Sequence, residues 1–317
     1  MQAYASMGCI PTWTCAPYQA EQRPRFGQQI AWGESNAIAF ANSVIGARTE
    51  RYPDLLDICA AITGRVPAVG LHLPWNRAGQ VVYNLVDIPR EVQQHESFYP
   101  VLGHLLGRLA GDRIPVVDGM TAQPAEDQLK SLCAAAASSG AVALLHLVGI
   151  TPEAPSLQAA LQGKPPLETG EVTRATLAAA WDELSTAKGK ELDLVVLGSP
   201  HFSLQEFEQL ARLVEDKRRH PGVRFLITSS RAMTALADQA GYLEPIRSFG
   251  AEVTLDTCIL TTPMLPEAIK VLMTNSAKYA YYSPGLLGKS VAFGSTEDCV
   301  RSAVEGRVVQ EDHPWRT

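Results

Sequence analysis

Thiols on a proline-bounded loop are the residues of this chain best suited to chemistry. Cys9 and Cys15 sit in Gly8-Cys-Ile-Pro-Thr-Trp-Thr-Cys-Ala-Pro-Tyr18. Pro11 and Pro17 remove backbone donors and push the residue before each toward extended geometry, so the stretch presents its side chains from loop and not from packed helix. A third thiol, Cys258, ends the strand-like run 252–258 far along the chain. Soft sulfur ligands drawn from distant segments suit a transition metal or an iron–sulfur cluster. The competing reading is that all three are buried apolar fillers. Tetrahedral zinc fits less well, because the chain has neither a C-x2-C nor an H-x3-H pair. A cluster held by only three protein ligands would leave an iron open to act as a Lewis acid on a leaving hydroxyl. Cys59, Cys133 and Cys299 fall in helix-like patterns, where a thiol serves packing.

Gly198-Ser-Pro-His201 places a serine two residues before a histidine. A nucleophile–base pair is the weaker reading, since the segment lacks a G-x-S-x-G elbow and side chains two apart point away from each other in extended backbone. No phosphate loop or strand-linked G-x-G-x-x-G occurs.

The elements that must position these groups are legible in outline. Residues 1–7 read as the end of a helix running into the cysteine loop, 34–45 as a tightly packed helix ending at Gly46, and 54–62 as another stopping before Gly64. From 66 to about 155 the pattern turns α/β, with strands predicted at 68–73, 81–86, 114–117 and 142–147 and helices at 99–109 and 126–137. Residues 156–191 read as linker plus a helix over 173–184. In 192–317 four apolar runs, 192–197, 224–227, 253–255 and 271–273, each stop at a polar cluster. Strands alternating with helices predict a parallel sheet whose carboxyl edge carries those clusters, the edge where open α/β sheets bind ligands. Ser203-Leu-Gln-Glu206 is a capping box, and Ser230 reads first as the cap of a helix over 232–240.

Composition sets the outer bounds. The 317 residues carry a net charge of −6, which gives no general attraction to nucleic acid or anionic membrane. Lys217-Arg-Arg-His220 reads as the basic end of a helix. Six cysteines without compact spacing, and no spanning apolar run, point to a reducing cytoplasm.

Taken in order, Cys9-Ile-Pro-Thr-Trp-Thr-Cys-Ala-Pro-Tyr18, Ile30-Ala-Trp-Gly-Glu-Ser-Asn-Ala37, Ala41-Asn-Ser-Val-Ile-Gly-Ala-Arg-Thr49, Ala61-Ile-Thr-Gly-Arg65, Gly149-Ile-Thr-Pro-Glu-Ala154, Gly198-Ser-Pro-His-Phe-Ser203, Asp256-Thr-Cys258 and Thr274-Asn-Ser-Ala-Lys278 resemble the large subunit or domain of the aconitase X family over nearly the whole chain. The resemblance implies an aconitase-like α/β fold of several three-layer domains with mainly parallel sheets, built around an iron–sulfur cluster and closed by a small swivelling domain. It implies a dehydratase, and the forms of the cysteine loop and of Gly198-Ser-Pro-His201 look like the branch acting on cis-3-hydroxy-L-proline. The alternatives are the mevalonate 5-phosphate dehydratase large subunit and a non-catalytic iron–sulfur or ligand-binding relic. No nicotinamide or flavin is expected.

The same resemblance assigns Cys15 and Cys258 to cluster-ligand positions and puts Ser199 where the family motif Gly-Cys-Pro-His has cysteine. Alcohol oxygen is a harder ligand than thiolate, which leaves open Ser199 as a weak ligand, Cys9 in its place, or a smaller cluster; 2Fe-2S, 3Fe-4S and 4Fe-4S all stay possible. Glu34, Ser35, Asn36, Arg48, Ser230, Arg231, Asn275 and Lys278 fall in family motifs and are the residues expected to bind the carboxylate of a small hydroxy acid and line the pocket. A preceding Ser-Ala-His-type segment and the small domain, which would carry a serine base by analogy with aconitase, are not in the sequence. On this reading the chain is an N-terminally truncated large-domain portion, inactive without its small-domain partner.

Overall fold

The computed structural model describes residues 2–20, 23–53, 55–310, 313 and 315. Asp54, the expected start of one helix, lies outside them. The first region holds α1 (Gln2–Ser6), α2 (Ser35–Phe40), continued as a π-helical turn over Ala41–Ile45, and α3 (Leu56–Thr63). Both longer helices stop at a glycine with left-handed backbone, Gly46 and Gly64.

The second region runs β1 (Val81–Leu85), α4 (Arg90–Gln94), α5 (Phe98–Ala110), β2 (Pro115–Asp118), α6 (Glu126–Ser139), β3 (His146–Leu147), α7 (Leu157–Ala160), β4 (Glu168–Val172) and α8 (Arg174–Glu183). Its strands form one parallel sheet in the order β3-β2-β1-β4. The expected strand at 68–73 is instead a pair of short 3-10 turns, Gly70–His72 and Pro74–Asn76. Gly70 has φ 52° and Pro74 carries no N–H, so neither suits a ladder. Within 142–147 only His146–Leu147 pairs as strand. The stretch expected to be linker and helix, 156–191, supplies β4, which pairs with β1 in register from Val81 opposite Glu168 to Leu85 opposite Val172. β4 is a polar edge strand, Glu-Thr-Gly-Glu-Val, and shows no apolar alternation to reveal it.

The third region is β5 (Leu194–Leu197), α9 (Leu204–Val214), β6 (Arg224–Ser229), α10 (Arg231–Gln239), α11 (Leu243–Phe249), β7 (Glu252–Leu255), β8 (Val271–Thr274), α12 (Ala277–Leu287), β9 (Ser290–Phe293) and α13 (Thr296–Glu305). All its strand pairings are parallel, in the order β7-β6-β5-β8-β9. The α/β architecture expected from the alternating pattern is therefore the one the chain adopts.

Alternation along the buried strands explains why β5 reads as an unbroken apolar run. Val195, Leu197, Phe225 and Ile227 face a core closed by Phe207 and Leu210 of α9, Ile246 of α11 and Val300 of α13. Leu194, Val196, Leu226 and Leu272 face the other way, into a core shared with Leu102 and Leu106 of α5 and Leu132 of α6. The second and third regions thus share a hydrophobic core. Sheet order reverses direction between β5 and β8, and the loops leaving those two strands meet at the resulting crevice.

Candidate functional site

Two loops and a helix N-terminus converge at the carboxyl edge of the second sheet, and the cysteine loop of the first region folds over them. Together they enclose a cavity of about 320 Å³. Cys15, Cys258, Ser199, Glu34 and Lys278 all line it, with Trp13, Thr14, His201, Asp256, Thr257, Leu260 and Thr261 completing the wall.

The loop after β5 is held from below. Gly198 has φ 97°, and a Cβ there would lie 2.1 Å from the Thr228 carbonyl oxygen, so only glycine fits. Thr228 donates its hydroxyl to the Gly198 carbonyl at 2.6 Å, and Ser276, which caps α12, donates its own to the carbonyl of Ser199. Replacing Gly198 by alanine is expected to destabilise the protein by about 2 kcal/mol or more and to lower its melting temperature. Thermal unfolding measures this; an unchanged midpoint would mean that the loop and β6 separate at no cost.

His201 has both ring nitrogens engaged. Nε2 lies 2.9 Å from the Thr257 carbonyl and Nδ1 lies 3.1 Å from Thr14 Oγ1. A carbonyl only accepts, so Nε2 carries the proton, and Nδ1 accepts from a threonine hydroxyl that itself accepts from the Ala16 amide at 3.0 Å. Burial pushes the His201 pKa down, which agrees with a neutral ring. With no nitrogen free toward Ser199, the pair is a brace between the cysteine loop and the loop after β7, and the nucleophile–base reading has no support.

The charges in the cavity are paired. Lys278 Nζ contacts Glu34 Oε1 at 2.5 Å, and Asn36 donates to the same oxygen at 2.7 Å. Burial opposes the Lys278 ammonium, but Glu34, Cys15 and Cys258 outweigh it and its pKa is raised. Burial likewise opposes the Glu34 carboxylate, but Lys278 and Asn36 outweigh it and its pKa is lowered. The Cys15 thiol is pushed up to about 11, first by burial and further by Glu34 and Cys258, against the pull of Lys278 and the His201 amide. That amide donates to Cys15 Sγ at 3.3 Å. Cys258 accepts from the Leu260 amide at 3.4 Å and lies 3.7 Å from the Tyr279 hydroxyl.

An iron–sulfur group needs soft ligands facing one space. Cys15 and Cys258 face the same cavity and influence each other electrostatically, and Ser199 lines it beside them. Among the described residues no group of three or more His, Cys, Asp or Glu side chains is placed to hold a metal ion. The donor set is therefore two thiols and one alcohol, which fits a group with two firm ligands and one weak one. Cys9 lines a neighbouring cavity with Tyr4, Asp57 and Ala61, and is not in the lining that Cys15 and Cys258 share.

The remaining expected site residues are placed as follows. Asn36 lies behind Glu34 and accepts from the Tyr18 hydroxyl at 3.5 Å. Ser35 opens α2 without lining the cavity. Ser230 caps α10 by accepting from the Met233 amide. Arg231 pairs with Asp256 at 2.5 Å on the rim. Arg48 is buried in a network with Glu153, which also binds Arg77. Asn275 donates to Glu96 and Thr296 in a separate cavity beside α6 and α9. The sequence motifs do not single out Thr14, Asp256 and Thr257, although each lies one residue or two from Cys15 or Cys258.

Residues 1–74, 79–182 and 192–305 match, in that order, the aconitase X first, second and third domains. The chain is 47% identical over 309 residues to the cis-3-hydroxy-L-proline dehydratase of Pseudomonas aeruginosa, a match that takes in 96% of this chain and 53% of that protein. It is 36% identical over 308 residues to the phosphomevalonate dehydratase large subunit of Methanosarcina mazei, covering 97% of this chain and 73% of that one. The crystal structure of Thermococcus kodakaraensis aconitase X in its holo-form matches with a TM-score of 0.85 at 33% identity, over 95% of this chain and 75% of that chain. The chain spans about half the length of the cis-3-hydroxy-L-proline dehydratases it matches.

Proposed function

The chain belongs to the aconitase X family, and from that premise we propose that it is the large-domain portion of a hydro-lyase acting on cis-3-hydroxy-L-proline. The observation that carries the substrate choice is the charge of the cavity. Among the described residues lining it, Lys278 is the one fixed cation, His201 being neutral. One ammonium suits the single carboxylate of an imino acid. Mevalonate 5-phosphate would bring a phosphate as well, and Arg231, the next cation, does not line the cavity. The higher identity to the hydroxyproline enzymes supports the same choice.

In this proposal Cys15, Cys258 and Ser199 hold an iron–sulfur cluster, which when bound supplies a Lewis acid for the departing C3 hydroxyl. Lys278 receives the substrate carboxylate, with Glu34 keeping the ammonium in place between turnovers. His201 keeps the cysteine loop and the Thr257 loop in register around the substrate. A base on the small swivelling domain takes the C2 proton; the electrons of that bond form the C2–C3 double bond as the C3–O bond breaks, and the enamine tautomerises to pyrroline-2-carboxylate. A reducing cytoplasm suits the six unpaired cysteines, and no helix among the described residues is long and apolar enough to cross a membrane.

The test combines the anaerobically reconstituted chain with a small domain from the Pseudomonas aeruginosa relative, then offers each substrate. Formation of pyrroline-2-carboxylate supports the proposal. Turnover of mevalonate 5-phosphate instead would give the chain to the other branch. Bound cluster without turnover of either would favour the second reading, a non-catalytic iron–sulfur relic, which draws on the alcohol at position 199.

A further inference from the structure

Lys130 lies on α6 in the second region and is only 2% exposed. An ammonium buried this deeply costs several kcal/mol unless its donors are satisfied, so its partners show what it does there. It has three donors, and three acceptors on other residues lie within reach. Asp127 Oδ1, one turn away on the same helix, lies 2.9 Å from Nζ. Glu206 on α9 is the second partner. The third is the carbonyl of His201, at 3.4 Å, in the loop that carries Ser199. Gln19 donates to the same carbonyl at 3.2 Å.

The two carboxylates lock the same junction from the other side. Glu206 accepts from the Ser203 amide at 2.7 Å and Asp127 accepts from the Ser203 hydroxyl at 2.6 Å. His201 therefore has its carbonyl tied to the second region while its amide points at Cys15 Sγ. We propose that Lys130 is a positioning residue for the thiol cavity: it fixes His201 from the neighbouring domain, and so keeps Cys15 seated against the His201 amide. Its functional meaning rests on reading the cavity as the reaction site, but its geometry concerns the metal-free chain alone.

The test is the alkylation rate of each cysteine by iodoacetamide in reduced, metal-free protein, resolved by peptide mass spectrometry. Lys130→Met is compared with wild type, and Lys130→Met/Glu206→Gln removes one of the two carboxylates that the first variant would leave without their cation. Cys15 is expected to react about fivefold faster or more in the variants. Cys133, on α6 itself, and Cys299, in the core under α13, are expected to keep their rates. An unchanged Cys15 rate overturns the proposal. So does a parallel rise at Cys133 and Cys299, or failure of both variants to fold, since either would make Lys130 a general structural residue. Because no cluster or substrate is present, failure of the hydroxyproline reading leaves these outcomes untouched.

Discussion

Cys15→Ala and Cys258→Ala are each expected to abolish retention of iron and labile sulfide after anaerobic reconstitution, where the wild-type chain keeps both. On the proposed donor set of two thiols and an alcohol, removing one thiol leaves a single sulfur and Ser199. The loss should exceed the roughly 10–100-fold in affinity that removing an outer partner of a ligand costs. The Cys15 proton adds a pH dependence. A thiol held at about 11 must lose its proton to bind, so cluster uptake by the wild type should improve as pH rises through the neutral range. Ser199 separates readings that the two cysteine variants do not. Ser199→Cys is expected to hold the cluster more firmly, because it replaces a hard oxygen by a soft thiolate at the same place, and Ser199→Ala to hold it less well. Equal retention in all three Ser199 forms would mean that the alcohol is no ligand. Iron retained in full by Cys258→Ala would remove the cluster from the cavity altogether.

How far the site could be read in advance depends on what each residue does locally. Ser203 and Ser230 announce themselves because a capping box and a helix cap each need particular residue types at particular offsets. The apolar runs of β5, β6 and β8 are equally plain, since strands buried on both faces must be apolar, whereas β7 is an exposed edge. β4 gives no such signal because it is a polar edge. Membership in a recurrent motif locates a residue but does not aim its side chain. Arg48 and Glu153 come from two separate motifs and bind each other, away from the thiols. Asn275 and Lys278 share one motif three residues apart, yet one faces the cavity beside α6 and α9 and the other faces Cys15. Lys130 gave only the ordinary local signal of an i, i+3 pair with Asp127. Its purpose is visible only once His201, 71 positions later, is brought against it.

Lys278→Met should lower kcat/KM of the assembled enzyme by about 100-fold or more, with most of the loss in KM. The variant takes away the cation proposed to receive the carboxylate and leaves Glu34 beside two thiols without the Lys278 counter-charge. Those two consequences can be separated by pH. The Glu34 pKa is lowered from 4.5, so its contribution to stability is present above 4.5 and lost as pH falls through its lowered value. The Lys278 pKa is raised from 10.5, so its contribution is present below 10.5 and lost as pH rises through its raised value. Across the neutral range the pair is therefore fully formed, and the melting-temperature deficit of Lys278→Met should be flat there and shrink in acid as Glu34 takes up its proton. Adding Glu34→Gln removes the stranded carboxylate, so the double variant should regain stability without regaining KM. If Lys278 served only to neutralise Glu34, KM would return with the melting temperature. Lys278→Arg keeps the charge on a wider, planar head group and should fall between the two.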